Sequence, residues 1–416
     1  MKSNKLIYII ENIAISILIA INVVPEMTNK YVFLFGIVLL CIVNFKNDKN
    51  FFINFFFKKN FFMYSIYLWC IFNVILFAFG YDNINFYYLL NYFRISTVLT
   101  FFVYYSKKND NKILKNIAII TSILLIIVCV RTITLLYTHK NISRLLATGI
   151  EIKSINTFGV GGYAFIYGLS FVVVALVGIL VKDKRYKNMS KENICLICMI
   201  LLFIFTIYKA QYLISYIILA IGMLIIFFNV NSLKKIAISI LILIISLFIL
   251  AYPMSKLLMK ISNNMKNESI KMRIIEIAMV LSGEDVQETV DLNARLKHYR
   301  ESIDTFTKHP FFGNLFNQDG GKIGGHSFIF DQFAEYGVIG SIPIIIMLIS
   351  VIYYTFYELN SQRNKEIYMA CIVMFVILAI TNTIKFVTIF YLMFVFNPTI
   401  LKISGKEENY ENSLDS

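Results

Sequence analysis

The chain is 416 residues long, 58% apolar and only 15% charged, with 38 Phe and 26 Tyr. Ordinary soluble domains carry roughly 45–50% apolar and about 25% charged residues, so this composition excludes a soluble globular enzyme, a disordered chain and a disulfide-stapled scaffold. The formal charge of +14 reads as cationic loops on the cytoplasmic side of a membrane and not as a nucleic-acid footprint; no nucleic-acid partner is expected.

A bilayer core about 30 Å thick needs about 20 apolar helical residues to cross it. In chain order, runs of that kind lie near 6–25, 31–45, 61–80, 86–106, 113–137, 161–181, 194–208, 211–228, 236–252, 337–357, 367–382 and 385–401. The expected fold is an all-α polytopic membrane protein of about 12 transmembrane helices with one large, partly helical extracytoplasmic loop. Spans one to nine occupy 1–253, the loop 254–336, the last three spans 337–401, and a polar cytoplasmic tail 402–416. The first span is long enough to stay in the membrane, so no cleavable signal peptide is needed.

Orientation follows from the short loops. With the N-terminus inside, the inner loops 46–60, 107–115, 182–193, 229–235 and 358–366 hold seventeen Lys and Arg. The outer connections hold six: Lys30, Lys140, Arg144, Lys153, Lys209 and Lys385. That asymmetry sets the topology and places the late loop, 254–336, on the extracytoplasmic side.

The loop 254–336 lacks a spanning run and is nearly neutral, with ten basic and eleven acidic residues. Apolar positions at helical spacing over 255–281 predict one or two interfacial helices. An acidic linker, Gly283 to Asn293, follows. A second amphipathic helix has Leu296, Tyr299, Ile303 and Phe306 on one stripe. Pro310 ends it, because proline cannot continue a helix. A glycine-rich stretch over 320–325 leads to His326, which opens a helix running into span ten.

Several chemistries find no support. Gly320-Gly321-Lys322 lacks both the upstream Gly and the Ser/Thr of a phosphate-binding loop, and there is no Gly-x-Ser-x-Gly elbow. Cytoplasmic loops leave no room for a nucleotide-binding domain. Cys41, Cys70, Cys129, Cys195, Cys198 and Cys371 all fall in or beside apolar runs and read as small hydrophobes. Cys195 and Cys198 form a lone CxxC without a second pair. No metal and no cofactor is expected.

All four histidines, His139, His298, His309 and His326, fall on the outer side. So do the cations Arg94, Arg131, Lys209 and Lys385, in or beside spans. A charge within a span costs about 2.5–3.5 kcal/mol at the centre, less near the ends. Such cations either snorkel to headgroups or line a pocket for an anionic headgroup such as a lipid pyrophosphate, which arginine binds bidentately. His326, after a glycine-rich run at a helix start, is either a surface or capping histidine or a general base. Asp331 and Glu335 follow on one helix face at i,i+4.

The stretch from Arg295 through Tyr299 to His309-Pro310-Phe311-Phe312-Gly313, then His326-Ser327 and Glu335-Tyr336-Gly337-Val338-Ile339-Gly340, resembles the signature of the O-antigen ligase and polymerase superfamily, which includes Wzy-type polysaccharide polymerases. The motif covers about a tenth of the chain, and the many-span layout with one late loop fits the remainder. The resemblance implies a GT-C-like, inverting, metal-independent glycosyltransferase. Its donor and acceptor would be undecaprenyl-pyrophosphate-linked oligosaccharides drawn from the lipid bilayer, with a chain-length regulator and a flippase as further partners. Carried over by residue, Arg295 matches the arginine that contacts the pyrophosphate and His326 the histidine that deprotonates the acceptor hydroxyl. Glu335, Gly337 and Gly340 match the end of the motif, with Tyr299 and Asp331 beside them as supporting residues. Tyr299 stands where Trp is common and Ser327 where Asn is common. A second family arginine has its counterpart in Tyr208-Lys209-Ala210, so Lys209 takes its place, with Arg94 and Arg131 as further cations for the pyrophosphate. The expected function is polymerisation of repeat units for capsule, exopolysaccharide or O-antigen. The alternatives are an O-antigen ligase acting on lipid A–core, a flippase or secondary transporter, and a scaffold without chemistry.

Overall fold

The computed structural model describes residues 2–27, 29–47, 61–79, 86–107, 110–139, 156–182, 190–228, 255–264, 271, 274–275, 278–279, 292–316, 322–359, 361–384 and 387–404. The span expected near 236–252, most of the acidic linker, Gly320, Gly321, Lys385 and the tail beyond 404 lie outside these residues, as does the side chain of Arg295. Among the described residues all regular structure is helical. The chain divides into two compact units. The first comprises 1–228, 341–379 and 384–416, and the second 229–340 with 380–383.

Chain order in the first unit begins α1 (Lys2–Val23), α2 (Lys30–Asn47), α3 (Phe61–Ala78), α4 (Phe86–Lys107) and α5 (Asn111–Thr138). It continues with α6 (Tyr163–Lys182), α7 (Lys191–Ala210) and α8 (Leu213–Phe227). Among the described residues seven helices are long and apolar enough to cross a membrane, and three shorter apolar ones fall at expected spans. The protein is therefore a helical, membrane-embedded one. Polar caps start helices where the apolar runs begin. Asp110 accepts the N–H of Ile113 at 3.2 Å, and Ser190 that of Asn193 at 3.3 Å, each satisfying one of the orphan donors of a helix start.

α6 is buried over 83% of its apolar window and the closing segment, 387–404, over 89%, against 33% for α7. The first two form the centre of this unit. The closing segment opens as α12 (Val387–Tyr391) and passes through a π turn, Leu392–Phe396. Gly168 of α6 lies so near this turn that a Cβ there would meet the Leu392 side chain at 2.7 Å.

Helix ends assigned to one side by the loop charges find one another. Among the ends that the loop charges assign to the inside, Lys182 pairs with Glu366. Lys402 Nζ lies 2.7 Å from the Glu358 carboxylate, which also accepts from the hydroxyls of Ser106 and Tyr354. At the opposite ends, Thr388 donates to the carbonyl of Asn22 at 2.8 Å and Gly159 N–H to that of Pro25 at 3.2 Å.

The second unit contains a helical stretch over 255–263, then α9 (Leu292–Lys308) and the start of α10 (Phe328–Glu358). α10 is broken at Gly337, whose φ of 63° and ψ of −170° lie in a region open essentially to glycine alone. α11 (Gln362–Thr381) follows.

Candidate functional site

α9 stops at Lys308, before Pro310, and the chain turns back over 309–316 onto the break in α10. A helix break leaves carbonyls unpaired on one side and N–H groups on the other. Here both sets are met by this turn. The N–H groups of Val338 and Ile339 donate to the carbonyls of Pro310 and Phe311 at 2.8 and 3.0 Å. The N–H of Asn314 donates to the carbonyls of Ala334 and Glu335 at 2.9 and 3.1 Å. Such an approach requires glycine on both partners. A Cβ on Gly313 would stand 2.5 Å from the Gly337 nitrogen, and one on Gly337 2.4 Å from the Phe311 carbonyl.

A strap, 322–327, crosses α9 and delivers His326. A Cβ on Gly324 would sit 2.1 Å from the His298 carbonyl oxygen, so the strap lies directly on the α9 backbone. Gly324 N–H donates to Ser302 Oγ at 2.9 Å, and Thr305 Oγ1 donates to the Lys322 carbonyl at the same distance. Ser302 in turn donates to Asp331 at 2.7 Å. The Asp331 carboxylate also accepts the N–H groups of Gly325 at 3.2 Å and Ser327 at 3.1 Å. Ser327 caps α10 by accepting the N–H of Phe330 at 3.2 Å. A carboxylate in the first turn of a helix also meets the positive end of its dipole. His326 is thus bracketed, its neighbours on both sides held by one buried carboxylate.

His326 is exposed. Its ring stacks on that of His298, with centroids 4.6 Å apart and planes at 40°. His298 Nδ1 lies 3.1 Å from Glu301 Oε2. The arrangement presents an imidazole in a fixed position, with a second imidazole behind it held by a carboxylate. An exposed imidazole so placed is chemically able to take a proton.

The other expected residues fall as follows. Tyr299 donates to the Thr381 carbonyl at 2.8 Å and meets Phe330 edge-on at 5.8 Å. Glu335 is buried beside the turn. Arg295 lies one helical turn before His298 and Tyr299 on α9. Arg94, Arg131 and Lys209 belong to the first unit. Buried Arg94 donates to the Ile21 carbonyl at 3.0 Å and to Asn22 Oδ1 at 3.3 Å, so it caps the last turn of α1. Exposed Arg131 donates to the Asn156 carbonyl at 3.1 Å. Lys209 is in the last turn of α7, not in a connection, and its ammonium lies over the rings of Tyr137 at 4.7 Å and Phe205 at 5.4 Å. Among the described residues no set of three His, Cys, Asp or Glu could hold a metal ion.

The apolar stripe of α9 is packed in part: Tyr299 and Phe306 meet Phe330 and Phe333, but Leu296 is 44% and Ile303 40% exposed, while Ser302 and Thr305 are buried. The polar residues face inward because the strap gives each a hydrogen-bond partner, which removes the penalty for burying them. His298, Glu301 and Ser302 were missed for this reason. The spacing 295, 298, 302, one face at i, i+3, i+7, could have found two of them.

Asp331→Ala is expected to leave three donors unanswered, of which those of Ser302 and Ser327 are buried, at about 1–3 kcal/mol for each buried unsatisfied group. The amides of Gly325 and Ser327 should lose protection in hydrogen exchange while those of α6 keep theirs. Unchanged protection would remove Asp331 from this role.

No protein-family model matches the chain, and no characterised protein matches it in sequence.

Proposed function

We propose that the chain is a polysaccharide polymerase of the bacterial cytoplasmic membrane, which joins undecaprenyl-pyrophosphate-linked repeat units on the outer face by inverting glycosyl transfer. The observation that supports this reading most is the position of His326: exposed, stacked on His298, and pinned through its neighbours by Asp331. A scaffold has no need of an imidazole held this way. A transporter would tolerate its loss.

In this reading the acceptor hydroxyl gives its proton to an imidazole nitrogen of His326 as its oxygen attacks the anomeric carbon of the donor. The bond from that carbon to the pyrophosphate oxygen breaks on the opposite face, which inverts the centre. The leaving lipid pyrophosphate carries the negative charge, and Arg295 stabilises it. The sugar–pyrophosphate bond is the energy source, so neither ATP nor a nucleotide sugar is required.

The test uses the purified full chain in lipid, with authentic undecaprenyl-pyrophosphate repeat units and products resolved by gel. A ladder of lengthening glycans is expected, with chelator present or absent. No ladder from folded protein would end the polymerase reading. Adding lipid A–core would then ask whether the chain is a ligase.

Two variants refine the roles. His298→Ala is expected to lower kcat roughly twofold to tenfold, the worth of one ring stack, with KM unchanged; His298→Phe should restore most of it. An equal loss in both variants would mean that stacking is not what His298 provides. Arg295→Lys is expected to lower kcat/KM roughly tenfold to a hundredfold, because a point charge replaces a fork and one charge-assisted hydrogen bond is lost. A wild-type value would exclude a bidentate contact at Arg295.

A further inference from the structure

We infer that Phe311, Phe312 and Phe316 form an aromatic wedge that inserts into the bilayer interface and fixes the height of the His326 strap above the membrane. This rests on the chain being membrane-embedded and not on the proposed enzymatic activity.

The three rings are 66%, 46% and 77% exposed, far more than the apolar surface a water-facing turn would ordinarily show. Their exposure does not come from a loose loop. The backbone beneath them is locked by the hydrogen bonds to Val338 and Ile339 and by the approach of Gly313 to Gly337. Phe312 and Phe316 are ordered against each other, edge to face at 5.4 Å. Residues 310–316 carry no charged side chain, so nothing in the turn favours water over lipid.

Continuity along α10 identifies the occupant. The wedge is joined by hydrogen bonds to the first residues after the break, and from there α10 runs on as one of the seven helices able to cross a membrane. Val338, Ile342, Ile345, Ile349 and Tyr353 recur at helical spacing and are 44%, 42%, 37%, 59% and 72% exposed. On a membrane-crossing helix such a face meets lipid chains. The wedge stands where that face begins, at the depth where aromatic side chains favour the interface. Anchored there, the turn would keep the strap and His326 at a constant height above the lipid.

The experiment places a fluorescent ring in the wedge. Trp69 is the single tryptophan, so Trp69→Phe provides a dark background for Phe312→Trp and, separately, Phe316→Trp, with Ile349→Trp as the lipid-facing reference. The full chain is reconstituted in phosphatidylcholine vesicles whose acyl chains are brominated either near the headgroup or near the bilayer centre. Tryptophan at 312 and 316 is expected to lose most of its emission to shallow bromines, less to deep ones, and little to aqueous iodide. Ile349→Trp should respond to the deep bromines. Should Trp69→Phe fail to fold, the same substitutions in the native background are read as differences from the parent spectrum. Quenching by iodide and not by lipid would overturn the proposal by putting the rings in water. Quenching by neither would overturn it by putting them against protein, a second copy included.

Discussion

On the proposed polymerase reading, replacing His326 with alanine is expected to lower glycan elongation by roughly two to four decades, the range over which a positioned general base contributes, and to leave the protein folded. The two halves of this expectation come from different atoms of the same segment. The strap is held by the N–H groups of Gly324, Gly325 and Ser327 and by Ser302, Thr305 and Asp331; in these bonds the 326 ring takes no part. Its removal therefore takes away the proposed proton acceptor and leaves these hydrogen bonds in place. A double variant sharpens the point. If His298 acts by holding the His326 ring, His298→Ala should cost nothing further once His326 is alanine, because residues that act as one unit are not additive. An additional drop of the same size in the double variant would show that His298 acts independently. A His326→Ala rate equal to wild type, measured on monodisperse protein, would remove the general base from the mechanism altogether.

The membrane class was legible because bilayer thickness dictates the length of apolar runs, and α5, α6, α7 and α11 all begin or end near the expected boundaries. Helix ends that the loop charges assign to one side do meet, Lys182 with Glu366 and Lys402 with Glu358. His326 and the Pro310–Gly313 turn could be singled out because glycine and proline punctuate the backbone visibly. What the turn binds could not be read. Its partners are carbonyl and amide groups, which every residue carries, so only the glycines at 313 and 337 leave a trace in the sequence. The inward face of α9 was hidden for a related reason. A hydropathy pattern marks Leu296 and Ile303 as core and Ser302 as surface, and it cannot anticipate that a strap twenty residues later supplies the serine with partners. The π turn at Leu392–Phe396 is likewise silent, since a shift of backbone hydrogen bonds by one residue changes no composition.

Gly337→Ala is the backbone counterpart of the His326 experiment, and its expected result is loss of the docked turn with the spans intact. Two costs combine. The φ and ψ at 337 cost a residue with a Cβ about 1–3 kcal/mol. The new carbon would also lie 2.4 Å from the Phe311 carbonyl and from the Phe312 nitrogen, both backbone, so no rotamer change can relieve it. The turn must move away. The amides of Val338 and Ile339 then lose the Pro310 and Phe311 carbonyls, at about 1 kcal/mol for each hydrogen bond. Their exchange should accelerate by roughly two decades or more, at about 1.4 kcal/mol per decade. Protection across α6 should stay as it was. Gly313→Ala should behave alike, since its Cβ would strike the Gly337 nitrogen from the other side. Gly325→Ala separates conformation from contact. Its φ is 75° but a Cβ there meets nothing within 4 Å, so it should cost only the backbone term, about 1–2 kcal/mol, and leave the Val338 and Ile339 amides protected. If Gly325→Ala released those amides as fully as Gly337→Ala, the reciprocal capping of the α10 break could not be what holds the turn, and the position of the wedge and of the strap would need another cause.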